Sequence, residues 1–126
     1  MLINCTNHPL DMWGEAQIEA AKCYGEVVDL PFPRVDPAWS VEELRRQADS
    51  IADRIEAQKP DAVLAAGEFT LLFMLVDRLL SDGVKVICTC SRRIADAEMR
   101  SDGSIEKKSV FTFETFREYA YYRKGK

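Results

Sequence analysis

The chain has 126 residues, 47% of them hydrophobic and 30% charged, which suits one compact domain over residues 1–126 and is too little for two. Its formal net charge of −4 argues against a protein that coats long nucleic acids, because such binding needs many lysines and arginines that displace counterions from phosphates. It has no apolar run of the roughly 18 residues that a membrane helix needs and no secretory signal pattern, so we expect a cytoplasmic protein without a membrane partner.

The first nine residues hold a short buried strand followed by a polar loop. Leu2, Ile3 and Cys5 form the apolar run, and Thr6-Asn7-His8-Pro9 ends it. His8 is the only histidine of the chain. Because open α/β sheets bind ligands outside the carboxyl ends of their strands, we expect this strand to lie inside the sheet and its loop to carry a candidate site.

Helices and strands then alternate along the chain. Ser40 and Glu43 form a capping box, which is a fairly specific signal for the start of a helix. The predicted elements are a helix over Glu15–Tyr24 stopped by Gly25, a strand over Glu26–Pro33, an amphipathic helix that begins after Ser40 and ends at Lys59-Pro60-Asp61, a buried strand over Ala62–Ala66, a helix over Leu71–Ser81 stopped by Gly83, and a strand over Val84–Cys90.

The last third of the chain departs from this alternation. Residues 94–110 are polar around Asp102-Gly103, a hairpin turn signal, and Val110–Glu114 resumes strand character. We expect an arm-like hairpin that leads into an antiparallel edge strand, with Arg117–Lys126 as a short helix or a frayed end. The whole pattern predicts an α/β fold, a Rossmann-like three-layer sandwich with a mostly parallel sheet of about five strands.

The third predicted helix is unusually apolar. Residues 71–76 read Leu-Leu-Phe-Met-Leu-Val, which leaves almost no polar side. Such a helix lies deep in the core or against a second chain. We favour the second chain and expect a homodimer.

Three loops meet at one edge of the predicted sheet: Thr6-Asn7-His8, Gly67-Glu68-Phe69-Thr70 and Ser91-Arg92-Arg93. Together they supply an imidazole, a carboxylate, hydroxyls, two guanidinium groups and the N–H groups that open a helix. Gly67 would let the backbone approach an anion closely, and the helix that starts near Thr70 would add a partial positive charge. This set favours a small anionic ligand that carries phosphate.

Plainer interpretations exist for each loop. His8 is compatible with an ordinary loop residue, and Glu68 and Thr70 with a helix cap. Arg92 and Arg93 are compatible with solvated surface charges, and at most one of them faces the site, because neighbours in an extended strand point in opposite directions.

Other chemistry has weaker support in the sequence. The four cysteines form no C-x-x-C pair, and Cys88 and Cys90 share one face of a strand, which favours small buried hydrophobes over metal or redox chemistry. Trp13 and Trp39 could stack on a nucleobase, although core or interface packing is the favoured interpretation. The G-x-G-x-x-G, G-x-x-x-x-G-K-[ST] and H-E-x-x-H motifs are absent, so we expect no metal and no cofactor.

Four segments carry a resemblance to a known family. They read L-I-N-C-T-N-H-P at residues 2–9, G-E-F-T-L at 67–71, C-S-R-R at 90–93 and F-T-F-E-T-F-R-E-Y at 111–119. As a pattern of strands and loops they resemble the CRISPR-associated Rossmann-like proteins that bind or degrade cyclic oligoadenylate second messengers in antiviral signalling, the ring nucleases.

The resemblance implies a homodimer with the ligand ring across its two-fold axis. It also implies metal-independent cleavage, in which a ribose 2′-hydroxyl attacks the neighbouring phosphorus and leaves a 2′,3′-cyclic phosphate. On this reading His8 moves the proton, and Arg92 with the N–H groups near Gly67 holds phosphate. The other expected ligand contacts are Thr6, Asn7, Glu68, Thr70, Ser91 and Arg93.

One position departs from the family pattern. Ala66 stands where a polar residue precedes Gly-Glu in that pattern. This departure argues against a catalytic role for the Gly67–Thr70 loop and leaves pure binding open, as in a sensor or sequestering module that keeps the ring intact. A separate alternative is a metabolic enzyme that acts on nucleotide or sugar phosphates.

Overall fold

The computed structural model describes residues 1–124, without the side chains of Asp96, Glu98, Lys107, Lys108 and Ser109. Helices and strands alternate within this range, and single 3-10 turns flank the first helix at Leu10–Met12 and Lys22–Tyr24. The elements are β1 (Leu2–Cys5), α1 (Glu15–Ala21), β2 (Val27–Asp29), α2 (Val41–Ala57), β3 (Ala62–Ala65), α3 (Phe69–Ser81), β4 (Val86–Met99) and β5 (Ile105–Glu118).

The five strands form one sheet in the order β2-β1-β3-β4-β5. The first four strands are parallel, and β5 is antiparallel to β4 at the edge. The predicted interior position of β1 is confirmed, since it pairs with β2 on one side and β3 on the other. The chain leaves β1 toward one edge and returns to pair β3 on its other side, so the order reverses between β1 and β3, where ligands of such sheets bind.

The start of α2 lies where the sequence predicts it, whereas α3 begins at Phe69, two residues before the predicted start, and α1 ends at Ala21, with a 3-10 turn over the remaining predicted residues. Ser40 Oγ accepts the backbone N–H of Glu43 at 3.1 Å and caps α2. The Glu43 carboxylate turns to Arg46 and Gln47 instead, so only the Ser40 half of the capping box is formed. After α2, Lys59 adopts a left-handed conformation with φ of 51°, which ends the helix before the following proline.

The two faces of the sheet are covered differently. On one face α2 and α3 pack against each other and seal a core that includes Ile3, Val63 and Val86. On the other face the shorter α1 packs against β5, and a smaller apolar cluster joins Leu2, Trp13, Ala21, Ala62, Leu64 and Ile87. The alternation of side chains along each strand produces this division.

The last two strands form a longer arm than the sequence predicts. The ladder between β4 and β5 continues from Ile87 opposite Glu118 to Met99 opposite Ile105, so the polar residues expected in a loose hairpin are paired strand residues. The β4–β5 ribbon exposes both of its faces to solvent, so it tolerates such polar residues while the backbone groups of its two strands pair with each other. The turn falls at the predicted place, with Gly103 at φ of 88°. Arg117 and Glu118 belong to β5, and no helix follows in residues 119–124, while 125–126 lie outside the described residues.

Helix α3 has one buried face and one exposed face, and is not buried on all sides. Leu71, Leu75 and Leu79 are fully buried, whereas Phe69 and Phe73 are 85% and 75% exposed. The helix therefore contributes to the core with one face and presents two aromatic rings on the other. Within the described range, none of the helices is both long enough and apolar enough to cross a bilayer.

Candidate functional site

A cavity of about 590 Å³ lies at the carboxyl edge of the sheet, on the face that α1 covers. Five segments of the chain enclose it: the loop after β1, the start of α1, the end of β3 with Ala66, the part of β4 around Thr89 and Ser91, and residues 111–113 within β5. The lining residues are Thr6, His8, Gly14–Gln17, Leu64, Ala66, Thr89, Ser91 and Phe111–Phe113.

A buried asparagine holds the loop after β1 in place. Asn4 is 1% exposed, and its Nδ2 donates to Asp29 Oδ1 at 2.8 Å and to the His8 carbonyl oxygen at 2.9 Å. Its Oδ1 accepts the hydroxyl of Thr6 at 2.8 Å. Both the nitrogen and the oxygen of the Asn4 amide are thereby hydrogen-bonded within the chain, so this side chain organises the loop.

The same loop receives further support from both of its ends. The His8 backbone N–H donates to Thr6 Oγ1 at 3.1 Å, and the Trp13 indole N–H donates to the His8 carbonyl oxygen at 2.9 Å. These bonds fix the His8 backbone while its side chain is exposed at the cavity. Thr6, His8 and Ser91, three of the predicted site residues, line this same cavity.

The arm supplies the opposite wall of the cavity. A register shift at Cys90/Ser91 leaves Glu114 as an extra residue of β5, so Phe113 and Phe116, three residues apart, both turn toward the α1 face. Their ring centroids are 5.0 Å apart. Ser91 lies opposite Phe113 in the ladder.

The side chains of Arg92 and Arg93 lie on opposite faces of β4, as those of adjacent strand residues do. Arg93 lies opposite Phe111, a cavity residue, and so shares the cavity face of the arm. Arg92 does not line the cavity, because it forms a two-point ion pair with Glu114 at 2.9 and 3.0 Å on the other face. The expected partnership of Arg92 with His8 is therefore absent from this arrangement.

The loop after β3 serves the fold more than the cavity. Glu68 accepts the N–H groups of Thr70 and Leu71 at 3.0 Å each and the Thr70 hydroxyl at 2.7 Å, and so caps α3. These hydrogen bonds, the Leu71 N–H foremost, lower the pKa of Glu68 below its usual value. The Glu68 carboxylate thus occupies the N-terminus of α3, where the sequence predicted a bound phosphate.

Gly67 is required by packing. A Cβ added there would lie 2.2 Å from the ring of Phe32, which is only 3% exposed. The Phe32 ring therefore fills the space beside Gly67 in which the sequence predicted an anion. None of the loop residues Gly67–Thr70 lines the cavity, although Ala66, just before them, does.

The remaining predicted groups lie elsewhere. Asn7 lines a separate, smaller cleft beside Asp29, and Trp13 and Trp39 pack in or against the two apolar clusters. Among the cysteines, burial raises the pKa of the Cys5 thiol to about 11. The other three are not fully buried: Cys23 is exposed, and Cys88 and Cys90 are half-buried, so the expectation of buried hydrophobes is wrong for this pair.

The sequence interpretation missed two side chains that define the site, Asn4 and Gln17. They are the buried polar residues of the described part of the chain. Asn4 interrupts an otherwise apolar strand, and Gln17 interrupts a helical stripe that contains Trp13 and Ala21 at four-residue intervals. A polar residue on a buried stripe was the available signal.

Comparison with known proteins places the chain in a family. None of the curated proteins matches it. Within the described residues, His, Cys, Asp and Glu side chains form no group of three that could hold a metal ion. Residues 1–117 match the model of the Uncharacterized protein MJ1673 family, and the chain belongs to that family.

Proposed function

We propose that the chain is a cytoplasmic ring nuclease of CRISPR-associated antiviral signalling, which binds a cyclic oligoadenylate in the α1-face cavity and cleaves it. The proposal includes a Rossmann-like three-layer fold, and it is supported by an α/β sandwich in which helices cover both faces of a sheet whose order reverses between β1 and β3. The cavity adjoins that point.

One observation carries the proposal: the cavity combines an imidazole with hydroxyl groups and aromatic walls. His8 supplies a proton donor or acceptor, Thr6 and Ser91 supply hydroxyls, and Phe111 and Phe113 supply flat apolar surfaces. Nucleotides need these classes of contact, because their bases stack on aromatic rings and their sugars form hydrogen bonds.

The proposed chemistry needs only groups of the ligand and a proton carrier. The ribose 2′-oxygen forms a bond to the adjacent phosphorus while the bond from phosphorus to the 5′-oxygen breaks. The 2′-hydroxyl loses a proton, the departing 5′-oxygen gains one, and a 2′,3′-cyclic phosphate forms. His8 assists one of these proton transfers, and the rigid loop around it holds the reacting groups in position.

We also propose that the active form is a homodimer in which one ligand ring contacts two cavities. The exposed rings of Phe69 and Phe73 on α3 offer an apolar surface for a second copy. Native mass measurement at micromolar concentration tests this: a dimer supports the shared ring, and a monomer contradicts it.

A second candidate is a sensor that holds the ring intact. It is favoured by the engagement of the charged groups, since Arg92 is paired with Glu114 and Glu68 caps α3. Charge that develops on phosphate oxygens during cleavage then meets fewer donors than an efficient phosphodiesterase provides.

Labelled cyclic tetra- and hexa-adenylate separate these possibilities. The wild type is expected to yield linear products with a cyclic phosphate end, and His8→Ala is expected to bind but to cleave about a hundredfold more slowly. Met12→Ala, an exposed change in the adjoining turn, serves as the matched control and is expected to cleave normally. Intact ligand bound to the wild type would favour the sensor, and absence of binding would refute both.

A further inference from the structure

Two buried polar side chains behave in opposite ways in this molecule. Asn4 and Gln17 are 1% and 8% exposed, respectively. Asn4 forms hydrogen bonds through both ends of its amide, as described above. The side chain of Gln17 has none with any described residue, although it is a buried residue of α1. Proteins rarely bury an amide without partners, because its desolvation then goes uncompensated.

Gln17 lies on the wall of the cavity. Gln17 is one of the lining residues, together with Ser91 and Phe113 from the opposite wall. The only fully enclosed side-chain oxygen or nitrogen without a partner in the described residues is Glu56 Oε1. Both polar atoms of Gln17 therefore keep some accessible surface, and the cavity is where a ligand could reach them.

A primary amide has a definite recognition pattern. It presents one acceptor and a donor side by side in a plane, which matches the adjacent N6 donor and N7 acceptor of adenine in two parallel hydrogen bonds. The corresponding edge of guanine offers two acceptors, and the corresponding edge of a pyrimidine offers a single hydrogen-bonding group. The aromatic rings of Phe111 and Phe113 in the same cavity provide stacking for a purine.

We propose that Gln17 is the residue that determines base specificity and that it selects adenine. This rests on the proposed function for the identity of the ring, but the contact itself would also form with a single adenine nucleotide. The amide of Gln17 has no partner within the described residues, and on this proposal the ligand supplies the missing partners.

The test compares Gln17→Met with Gln47→Met. Methionine keeps the length and packing of glutamine and removes the amide. Gln47 lies on α2 and donates to Glu43 at 3.3 Å, away from the cavity, so it is the matched control. Cyclic tetra-2′-deoxyadenylate and its thymidine counterpart are suitable probes, since neither has the 2′-hydroxyl that cleavage requires.

Gln17→Met is expected to raise the Kd for cyclic tetra-2′-deoxyadenylate about tenfold and to leave the weaker binding of the thymidine counterpart unchanged. The Tm of this variant is expected to match or exceed that of the wild type. Gln47→Met is expected to keep the wild-type Kd. If the adenine ring binds the wild type and Gln17→Met equally well, the specificity role is refuted and the proposed function stands. A variant with lower Tm and unchanged base preference would show a structural role only and would also refute it.

An NMR titration distinguishes failure of the two proposals. The side-chain NH₂ signals of Gln17 are followed while AMP, GMP, CMP or UMP is added to the wild type. A shift with AMP alone supports the adenine contact even if cyclic ligands do not bind, in which case the proposed function falls and this inference survives. No shift with AMP or with the cyclic adenine ring would overturn the inference.

Discussion

The two faces of the sheet differ in how completely they are closed. Helices α2 and α3, of 17 and 13 residues, cover one face and leave residues such as Ile55, Leu75 and Leu79 without solvent contact. Helix α1 has only seven residues and carries a glutamine where its stripe meets the sheet. The α2/α3 face therefore holds most of the hydrophobic stabilisation, and the α1 face holds the space in which a ligand could bind.

This difference makes separable predictions, because a change on one face should affect stability and a change on the other should affect binding. The largest effect on stability is expected for Leu75→Ala on α3. Leu75 is fully buried, and its truncation leaves a cavity that should cost about 2–5 kcal/mol of unfolding free energy. Urea denaturation measures this loss, and Phe73→Ala, at a position 75% exposed, is the control expected to change far less. Equal losses in the two variants would contradict the assignment of the core.

A smaller loss is expected for Gly67→Ala. The new methyl group would collide with the buried Phe32 ring, and overpacking of this kind costs about 1–3 kcal/mol. Gly14→Ala is the matched control, since nothing lies within 4 Å of a Cβ added there. Ligand affinity should survive in Gly67→Ala once the protein is folded. Loss of affinity without loss of stability would return Gly67 to the binding site.

The next effect concerns the ion pairs between α2 and α3. Arg78 contacts the carboxylates of Asp49, Asp53, Glu56 and Asp82 at 2.6–3.2 Å, and its side chain is 27% exposed. Its hydrogen bond lowers the pKa of Asp82, while the adjacent Asp82 carboxyl group raises the pKa of Glu56.

Arg78→Met should therefore cost about 1–2 kcal/mol at neutral pH, because four carboxylates lose their common cation. Without the cation their mutual repulsion raises their pKa values, and protonation then stabilises the folded state. The deficit relative to the wild type should shrink as the pH falls below 5 or so, which thermal melts at several pH values can show. A deficit that grows in acid would contradict this account.

The smallest effect is expected for the α3 cap. The pKa of Glu68 is lowered in the folded state, so its stabilising contribution is complete above the usual value of 4.5 and disappears as the pH falls through the lower folded value. Glu68→Gln should lower Tm slightly at pH 7 and match the wild type in strong acid. Unchanged cleavage or binding by this variant would confirm that Glu68 supports the helix rather than the ligand.

Much of the fold follows from the sequence because strong local signals mark it. The apolar run of β1, the Ser40 cap and the Asp102-Gly103 turn all lie where they were expected. The length of the arm does not follow, since cross-strand pairing rather than apolar alternation maintains β4 and β5 beyond the sheet.

The site could be predicted from the sequence only in part, because contacts between residues far apart in the chain decide which side chains reach the cavity. The position of His8 depends on the strand order, which the βαβ pattern predicts. The outward turn of Arg92 depends on strand parity and on its ion pair with Glu114 of the neighbouring strand. The loss of Gly67 as a ligand group depends on Phe32, thirty-five residues earlier in the chain. Such contacts between distant segments leave no local trace in the sequence.

A crystal structure with cyclic tetra-2′-deoxyadenylate tests the central claim most directly, since that ligand cannot undergo the proposed cleavage. The account predicts ligand density in the cavity between α1 and the arm, with a base edge at Gln17 and a phosphate near His8. Density at the start of α3 beside Gly67, or on the face covered by α2, would contradict it.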